Sequence, residues 1–358
     1  MKTITRTLLS LATLTAITQA GGNIDTLTPL TEVIPEAQGS ALDKISFGGY
    51  GKMDYTNYLD KDGSDKLDIY RFIMYVGYQF TDNIKLVSEI EWEHGGREKT
   101  GGYGIVEQAY LDFKVNEALS VKVGHVLVPV GMVNLYHEPT AFYSVARPET
   151  EKHIVPSTWH ENGLIAHGTM GSFSYQAGIV AGLNAVNKTD DGQEVISSIR
   201  SMRQNGQKSK AEDFAFVGRL DYKAAGFNLG GSYFTGEAGQ GSGIDVTTTV
   251  AEVHAGFSYE GFNIKGLYAV NEIDDSTGSQ SKEGAGYYVM AGYTIGEFTP
   301  FAQYEAYSKD DTKDDIEITT VGINYNPTPN VVLKADYVMY DNRGTDDNRF
   351  ELGMGYNF

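Results

Sequence analysis

The chain has 358 residues, a formal net charge of −19, 42 Gly, 24 Tyr and no Cys. The missing cysteines exclude a disulfide framework and a thiolate metal site, and the acidic balance excludes a nucleic-acid partner, because neutralising phosphates needs clustered Lys and Arg. With a mean hydropathy of −0.30 and no long apolar segment, any passage through a membrane must be made by strands closed on themselves.

At the N-terminus, Lys2 and Arg6 form a short positive region and Leu8 to Ile17 a modestly apolar stretch. Thr18-Gln19-Ala20 then supplies small residues where a signal peptidase reads, which predicts a signal peptide over residues 1–20, cut after Ala20. The stretch is too short and too polar to span a bilayer. Residues 21–44 show no clear period and are predicted to be a periplasmic lead-in to a barrel over residues 45–358.

From Ile45 onward the chain alternates with period two, the pattern of strands with unlike faces. Sixteen strands are predicted near 45–59, 66–80, 84–94, 104–115, 119–128, 163–170, 173–181, 213–224, 227–235, 248–259, 262–270, 285–294, 298–307, 316–326, 331–340 and 349–358. Most match the roughly 9–11 residues a tilted strand needs to cross a bilayer. In the second, Tyr70, Phe72, Met74, Val76, Tyr78 and Phe80 share one face, and Arg71, Tyr75 and Gln79 the other.

The connections alternate in length. Tight turns such as Thr81-Asp82-Asn83, Gly171-Ser172, Ala225-Gly226 and Glu260-Gly261 alternate with polar loops at 60–65, 95–103, 129–162, 182–212, 236–247, 271–284, 308–315 and 341–348. Short periplasmic turns and long extracellular loops are the asymmetry of membrane barrels, whose apolar faces point to lipid. The predicted fold is all-β, a 16-stranded antiparallel transmembrane β-barrel. Aromatics gather beside the turns (Tyr78, Phe80, Phe113, Phe173, Tyr222, Phe227, Tyr259, Phe262, Tyr293, Phe298, Tyr325 and Phe358) and read as a girdle at the headgroup level.

A barrel of about 16 strands leaves an aqueous interior. The inward set is predicted to be Lys52, Asp54, Arg71, Lys85, Glu89, Glu91, Glu93, Asp112, Lys114, Lys122, Arg219, Asp221, Lys223, Glu252, His254, Lys265, Glu305, Lys334, Asp336, Arg349 and Glu351. Charges of both signs on one face suit water rather than a dry core. The lysines lie near the turns, whereas Glu91, Glu93, Asp310-Asp311 and Asp346-Asp347 lie at the loop end. The expectation is an acidic outer mouth above a basic periplasmic exit, against the alternative of solvated rim charges.

The third loop, 129–162, holds Pro129, Pro139, Pro148 and Pro156 with Phe142 and Trp159, which argues for order. Folded inward, it would bring His137, Glu138, Arg147, Glu149, Glu151, Lys152, His153, His160 and Glu161 across the lumen. Arg147 and Lys152 against Glu149 and Glu151 are the expected constriction pair. In the fourth loop, Val195, Ile196, Ile199 and Met202 fit one helical face within Glu194 to Gln204, and Arg200, Arg203, Lys208 and Lys210 make it the most basic loop. It could cap the mouth, contact lipopolysaccharide phosphates or pack on a neighbouring subunit.

In the final strand, Phe350, Leu352, Met354, Tyr356 and Phe358 face one way and Arg349, Glu351 and Asn357 the other. A terminal Phe preceded by alternating apolar residues resembles the assembly signal of Gram-negative porins, with Tyr356 and Phe358 its key members. Val123-Gly124-His125 followed by Pro129-Val130-Gly131-Met132, and the stretch from Arg147 to Gly163, resemble segments of the phosphate-selective (O/P-type) porin superfamily. The resemblance implies a barrel with the third loop inside, a homotrimer, outer-membrane lipid and lipopolysaccharide around it, and recognition by the barrel-assembly machinery. It also implies passive diffusion of small hydrophilic solutes or ions. Phosphate-selective members line their pores with an arginine ladder, whereas the inward set here holds only Arg71, Arg219 and Arg349, so a general-diffusion or small-anion channel is expected. The competing readings are an outer-membrane phospholipase or protease barrel and a structural or adhesive surface barrel. The first needs a constellation that Ser88 and His125, on separate strands, do not announce. No cofactor or metal is expected. Ca²⁺ between acidic loops is chemically conceivable, but the 12-residue calcium-loop pattern is absent.

Overall fold

Val253 is 62% exposed while Glu252 beside it is 4% exposed, an inversion of the usual soluble pattern that repeats along most strands. In the computed structural model, residues 43–61, 63–96, 101–189, 192–196, 198–276, 278, 281–309 and 316–358 are described. The expected signal peptide, nearly all of the lead-in, and Asp310-Asp311 lie outside them. The strands are β1 (Ile45–Tyr58), β2 (Lys66–Thr81), β3 (Ile84–Glu93), β4 (Tyr103–Asn116), β5 (Leu119–Leu127), β6 (His160–Met170), β7 (Phe173–Ala181), β8 (Val186–Thr189), β9 (Gly192–Val195), β10 (Phe214–Ala224), β11 (Phe227–Glu237), β12 (Val246–Tyr259), β13 (Phe262–Asp275), β14 (Lys282–Tyr293), β15 (Phe298–Ser308), β16 (Ile316–Thr328), β17 (Val331–Asn342) and β18 (Arg349–Asn357). Sixteen of them close an antiparallel barrel, each beside its neighbour in sequence, with β7 passing to β10 and β18 returning to β1. The hairpin β8–β9 stands apart, inside the fourth loop. Among the described residues no helix is long and apolar enough to cross a membrane.

Two-residue turns close the hairpins where the backbone allows it. Ala225 and Gly226 have φ of 52° and 82°, and Glu260 and Gly261 have 45° and 84°. Positive φ at both central positions is the geometry whose twist matches antiparallel strands. The aromatics beside these turns meet in register: Tyr222 opposite Phe173, Tyr259 opposite Phe262, Phe262 opposite Tyr293, and Phe298 opposite Tyr325. The ring centroids lie 4.9 Å apart in both Phe173–Tyr222 and Phe298–Tyr325.

The last strand seals the barrel. Gly49 and Phe358 exchange backbone hydrogen bonds of 2.9 Å, and Tyr356 lies opposite Gly51. A Cβ on Gly51 would sit 2.3 Å from the Tyr356 hydroxyl, so the missing side chain lets that ring lie across β1.

Among the described residues, register shifts occur in five strand pairs, three of them beside turns and two in mid-strand. Between β1 and β2, Lys52 pairs with Arg71 but Asp54 with Asp68, which gives β2 an extra residue. Tyr70, expected on the lipid face, consequently turns inward, with Lys52 Nζ 4.4 Å above its ring. Between β3 and β4, Glu89 pairs with Gln108 but Ile90 with Val106, leaving Glu107 as the extra residue, fully buried against the third loop.

The third loop is folded inside and spans residues 128–159, because β6 starts at His160 rather than at Gly163. Val128, Val130, Met132, Tyr143, Ile154, Val155 and Trp159 join one apolar cluster with Phe234, Val250, Leu267, Tyr288, Met290 and Phe301 of the wall. Trp159 lies 4.5 Å from Phe234 and Tyr143 stacks 5.4 Å from Phe301. Each such buried side chain contributes about 1.5–3 kcal/mol. The β10–β17 half of the lumen is therefore a dry core, not the wet wall that its charges suggested.

Candidate functional site

The charged residues of that dry half are anchors. Lys265 Nζ donates to the Ala141 carbonyl at 3.1 Å, and Lys334 Nζ to those of Phe142 and Ser144 at 2.7 and 2.8 Å. The Val145 amide donates to Asp336, and the Thr150 amide to Glu305 Oε2 at 2.9 Å. Arg219 makes a forked bond to Asp221 (2.7 and 2.8 Å), donates to the Gly131 carbonyl at 2.6 Å and lies 3.7 Å from Glu252. His254 stands 2.9 Å from both Asp221 and Glu252. Each group finds a hydrogen-bond or ion partner, as buried polar atoms must.

The expected opposition of Arg147 and Lys152 to Glu149 and Glu151 is not formed. Glu149 and Lys152 sit on one short helix, α1 (Glu149–His153), 3.1 Å apart at i,i+3, and His153 is 3.0 Å from the same carboxylate. Burial pushes the Glu149 pKa up, but His153 and Lys152 outweigh it and bring it to about 2. Glu151 is wholly buried and points into the packing, accepting from Tyr288 Oη (2.6 Å) and the Val133 amide (2.6 Å). Burial raises its pKa. Glu138 is buried, and its carbonyl accepts the Ala141 amide at 2.9 Å.

Towards the loop side opens a cavity of about 510 Å³, walled by β1–β4, β18, the third loop and the fourth loop. Its basic residues are Lys52, Lys66, Arg71, Arg147, Lys152, Arg200, Arg203 and Arg349, and its acidic ones Asp54, Asp68, Glu91, Glu93, Glu149 and Glu351. Most of the acids are matched. Arg71 lies 3.2 Å from Glu91 and 2.5 Å from Glu93, Lys52 2.5 Å from Asp54, and His94 2.5 Å from Asp68. Arg349 turns to Asp347 (3.0 Å), which also holds Lys61 at 2.9 Å. The walls of this vestibule thus hold eight basic residues to six acidic.

Three arginines spend their donors on neutral groups. Arg147 binds Thr158 Oγ1 (3.0 Å) and the His137 carbonyl (3.2 Å). Arg200 donates to the carbonyls of Lys152 (3.3 Å) and Ser157, and Arg203 to those of Pro156 (3.1 Å), Thr158 and Arg200. Burial lowers the pKa of Arg203 to about 9, with its neighbour Arg200 adding to the effect, and burial also lowers that of Arg200. Both stay charged at neutral pH.

The fourth loop is therefore a second inward loop. Its helix is only α2 (Ile199–Met202), with Ile199 and Met202 buried; Val195 ends β9, so the expected single helical face of Val195, Ile196, Ile199 and Met202 is not formed. Glu161 Oε1 accepts the Gln204 amide at 2.9 Å, and the His160 ring meets His125 at 2.7 Å, so these two residues of β6 stand at the seat of the fourth loop. On the turn side a cavity of about 110 Å³ is lined by Lys122, Gln108, Tyr136, His167 and Asp221 among others. Lys85 lies 3.4 Å from Asp112, Lys114 2.8 Å from Glu117 at the rim, and Lys223 6.0 Å from the Tyr136 ring. Sequence reasoning missed Glu107 and Tyr70, whose parity is reversed by the bulges, and the lumenal position of Arg200 and Arg203, which only the docking of a loop reveals.

A closed lipid-facing barrel with a charged interior and an inward third loop defines an outer-membrane channel. The model of the Gram-negative porins matches residues 89–345, and the chain belongs to that family. An uncharacterized protein of Aquifex aeolicus is 34% identical over 342 residues, covering 85% of this chain and 77% of its own. Among solved structures, an anion-selective porin from Comamonas acidovorans is similar with a TM-score of 0.62 at 12% identity, over 88% of this chain and 99% of that one. Salmonella typhi OmpF in complex with daunomycin matches with a TM-score of 0.61 at 15% identity (88% and 97%), and the trimer form of Vibrio cholerae OmpT with 0.59 at 16% (88% and 99%). At these identities the structural likeness speaks to the fold.

Proposed function

We propose that this porin passes small hydrophilic solutes by passive diffusion and favours anions, with Arg147, Arg200 and Arg203 setting the preference. The observation that carries this reading is that these three guanidinium groups face one vestibule and hydrogen-bond backbone carbonyls and a hydroxyl instead of carboxylates. A fixed positive field in a confined mouth raises the local anion concentration and repels cations. It does so although the chain as a whole carries −19.

The reading includes a signal peptide removed after Ala20, assembly through Tyr356 and Phe358, contact with lipopolysaccharide and a homotrimer. The Ser88 and His125 considered for a catalytic pair are engaged apart: Ser88 Oγ donates to the Val76 carbonyl at 2.7 Å, while His125 is engaged by His160 and by Asn162 at 2.9 Å. Liposome swelling in isosmotic sugars of graded size tests the channel. Entry should fall with solute size, and no entry of the smallest sugar through a folded barrel would overturn the proposal.

A further inference from the structure

Glu89 of β3, Glu107 of β4 and His137 of the third loop converge beneath the vestibule. His137 Nε2 lies 3.4 Å from Glu89 Oε1 and 3.4 Å from Glu107 Oε1, and the three candidate ligand atoms fall within 4.8 Å of one another. Those contacts are long for charge-assisted hydrogen bonds, which run about 2.7–2.9 Å. They suit a different arrangement: ligands held about 2.0–2.1 Å from a tetrahedral zinc lie about 3.3 Å from each other.

The surroundings are those of a ligand set. His137 Nδ1 is 3.0 Å from the Asn134 carbonyl, which takes its N–H and turns the Nε2 lone pair towards the carboxylates. Gln108 Nε2 donates to Glu89 Oε2 at 2.6 Å and fixes that carboxylate. Glu107 is completely buried and, apart from the 3.4 Å approach of His137 to Oε1, neither of its oxygens has a hydrogen-bond partner among the described residues, a costly state for a carboxylate unless a cation meets it. A bulge turns Glu107 inward, and bulges recur where a side chain must be re-aimed at a site.

We propose that Glu89, Glu107 and His137 bind a divalent transition-metal ion, with zinc the best match to a carboxylate–carboxylate–imidazole set. Two carboxylates, a neutral imidazole and the divalent ion sum to zero charge, and a water or small anion from the cavity that His137 lines completes the shell. The ion staples the third loop to β3 and β4. This inference goes beyond solute passage and does not depend on it.

The test uses the full barrel, purified folded in detergent, stripped with a chelator and dialysed against buffered micromolar Zn²⁺. Elemental analysis should return about one zinc per chain, and Glu107→Gln and His137→Gln should each weaken binding by about 10–100-fold or more, given the effect of disturbing a metal shell. His94→Gln, at a separate ion pair, should bind as the parent does. Heat-modifiable electrophoretic mobility certifies that each variant is folded. A folded parent that retains no zinc, or folded Glu107→Gln and His137→Gln variants that both bind it as tightly as the parent, would overturn the proposal.

Discussion

Lys334 Nζ donates to the Phe142 carbonyl at 2.7 Å, a bond from the wall of the barrel to a loop nearly two hundred residues earlier in the chain. It shows how the third loop is held: its own carbonyls and amides replace the water that the wall's charged groups need. The Ser144 carbonyl shares the same ammonium at 2.8 Å.

Lys334→Met should therefore loosen the loop tip. Removing a charged donor from two buried carbonyls costs about 1.5–3 kcal/mol per bond lost, and Met refills part of the volume. Limited proteolysis should cut within residues 139–147 faster than in the parent, and open-channel current noise should rise. Unchanged cleavage and noise would mean that the apolar cluster alone seats the loop.

Barrel closure rests on Gly49 rather than on glycine content in general. A Cβ there would lie 2.1 Å from the Ile73 carbonyl oxygen and 2.8 Å from the Phe358 ring, and backbone cannot step aside cheaply. Gly218 of β10 has nothing within 4 Å of the same position. Gly49→Ala should lower the yield of heat-modifiable barrel sharply, while Gly218→Ala folds as the parent does. Equal yields would show that the β1–β18 seam tolerates a methyl group.

The ion cluster of α1 gives a pH signature. Glu149 has its pKa held down to about 2 in the folded protein, below the roughly 4.3 of a free glutamate. Its contribution is complete above about pH 4.3 and disappears as the pH falls through 2. The difference in thermal midpoint between the parent and Glu149→Gln should be constant at neutral pH and shrink to nothing in that acid window. A difference independent of pH down to 2 would remove the charge from the account.

The strands were legible because the barrel obeys one rule with few exceptions. Alternation in segments such as Phe72 to Phe80 and Arg349 to Phe358, punctuated by turns such as Glu260-Gly261, is local information, and a lipid face enforces it. The interior was legible only in composition. Lys265 and Lys334 alternate inward whether they meet water or a loop's carbonyls, and nothing local distinguishes the two outcomes. Glu107 stands one residue out of phase because of a bulge, which is a property of the pair of strands and not of either alone. Arg200 and Arg203 read as surface charge, since their partners, the carbonyls of residues 152–158, are reached only after two loops dock inside the same barrel.

Selectivity is the property on which the channel reading can be tried most directly. In a planar bilayer with a KCl gradient, the parent should show a reversal potential of the sign set by chloride permeation. The double variant Arg200→Gln, Arg203→Gln should move it towards zero or beyond, with channels still open. A parent reversal potential of the cation sign, or one that the double variant leaves unmoved, would contradict the account.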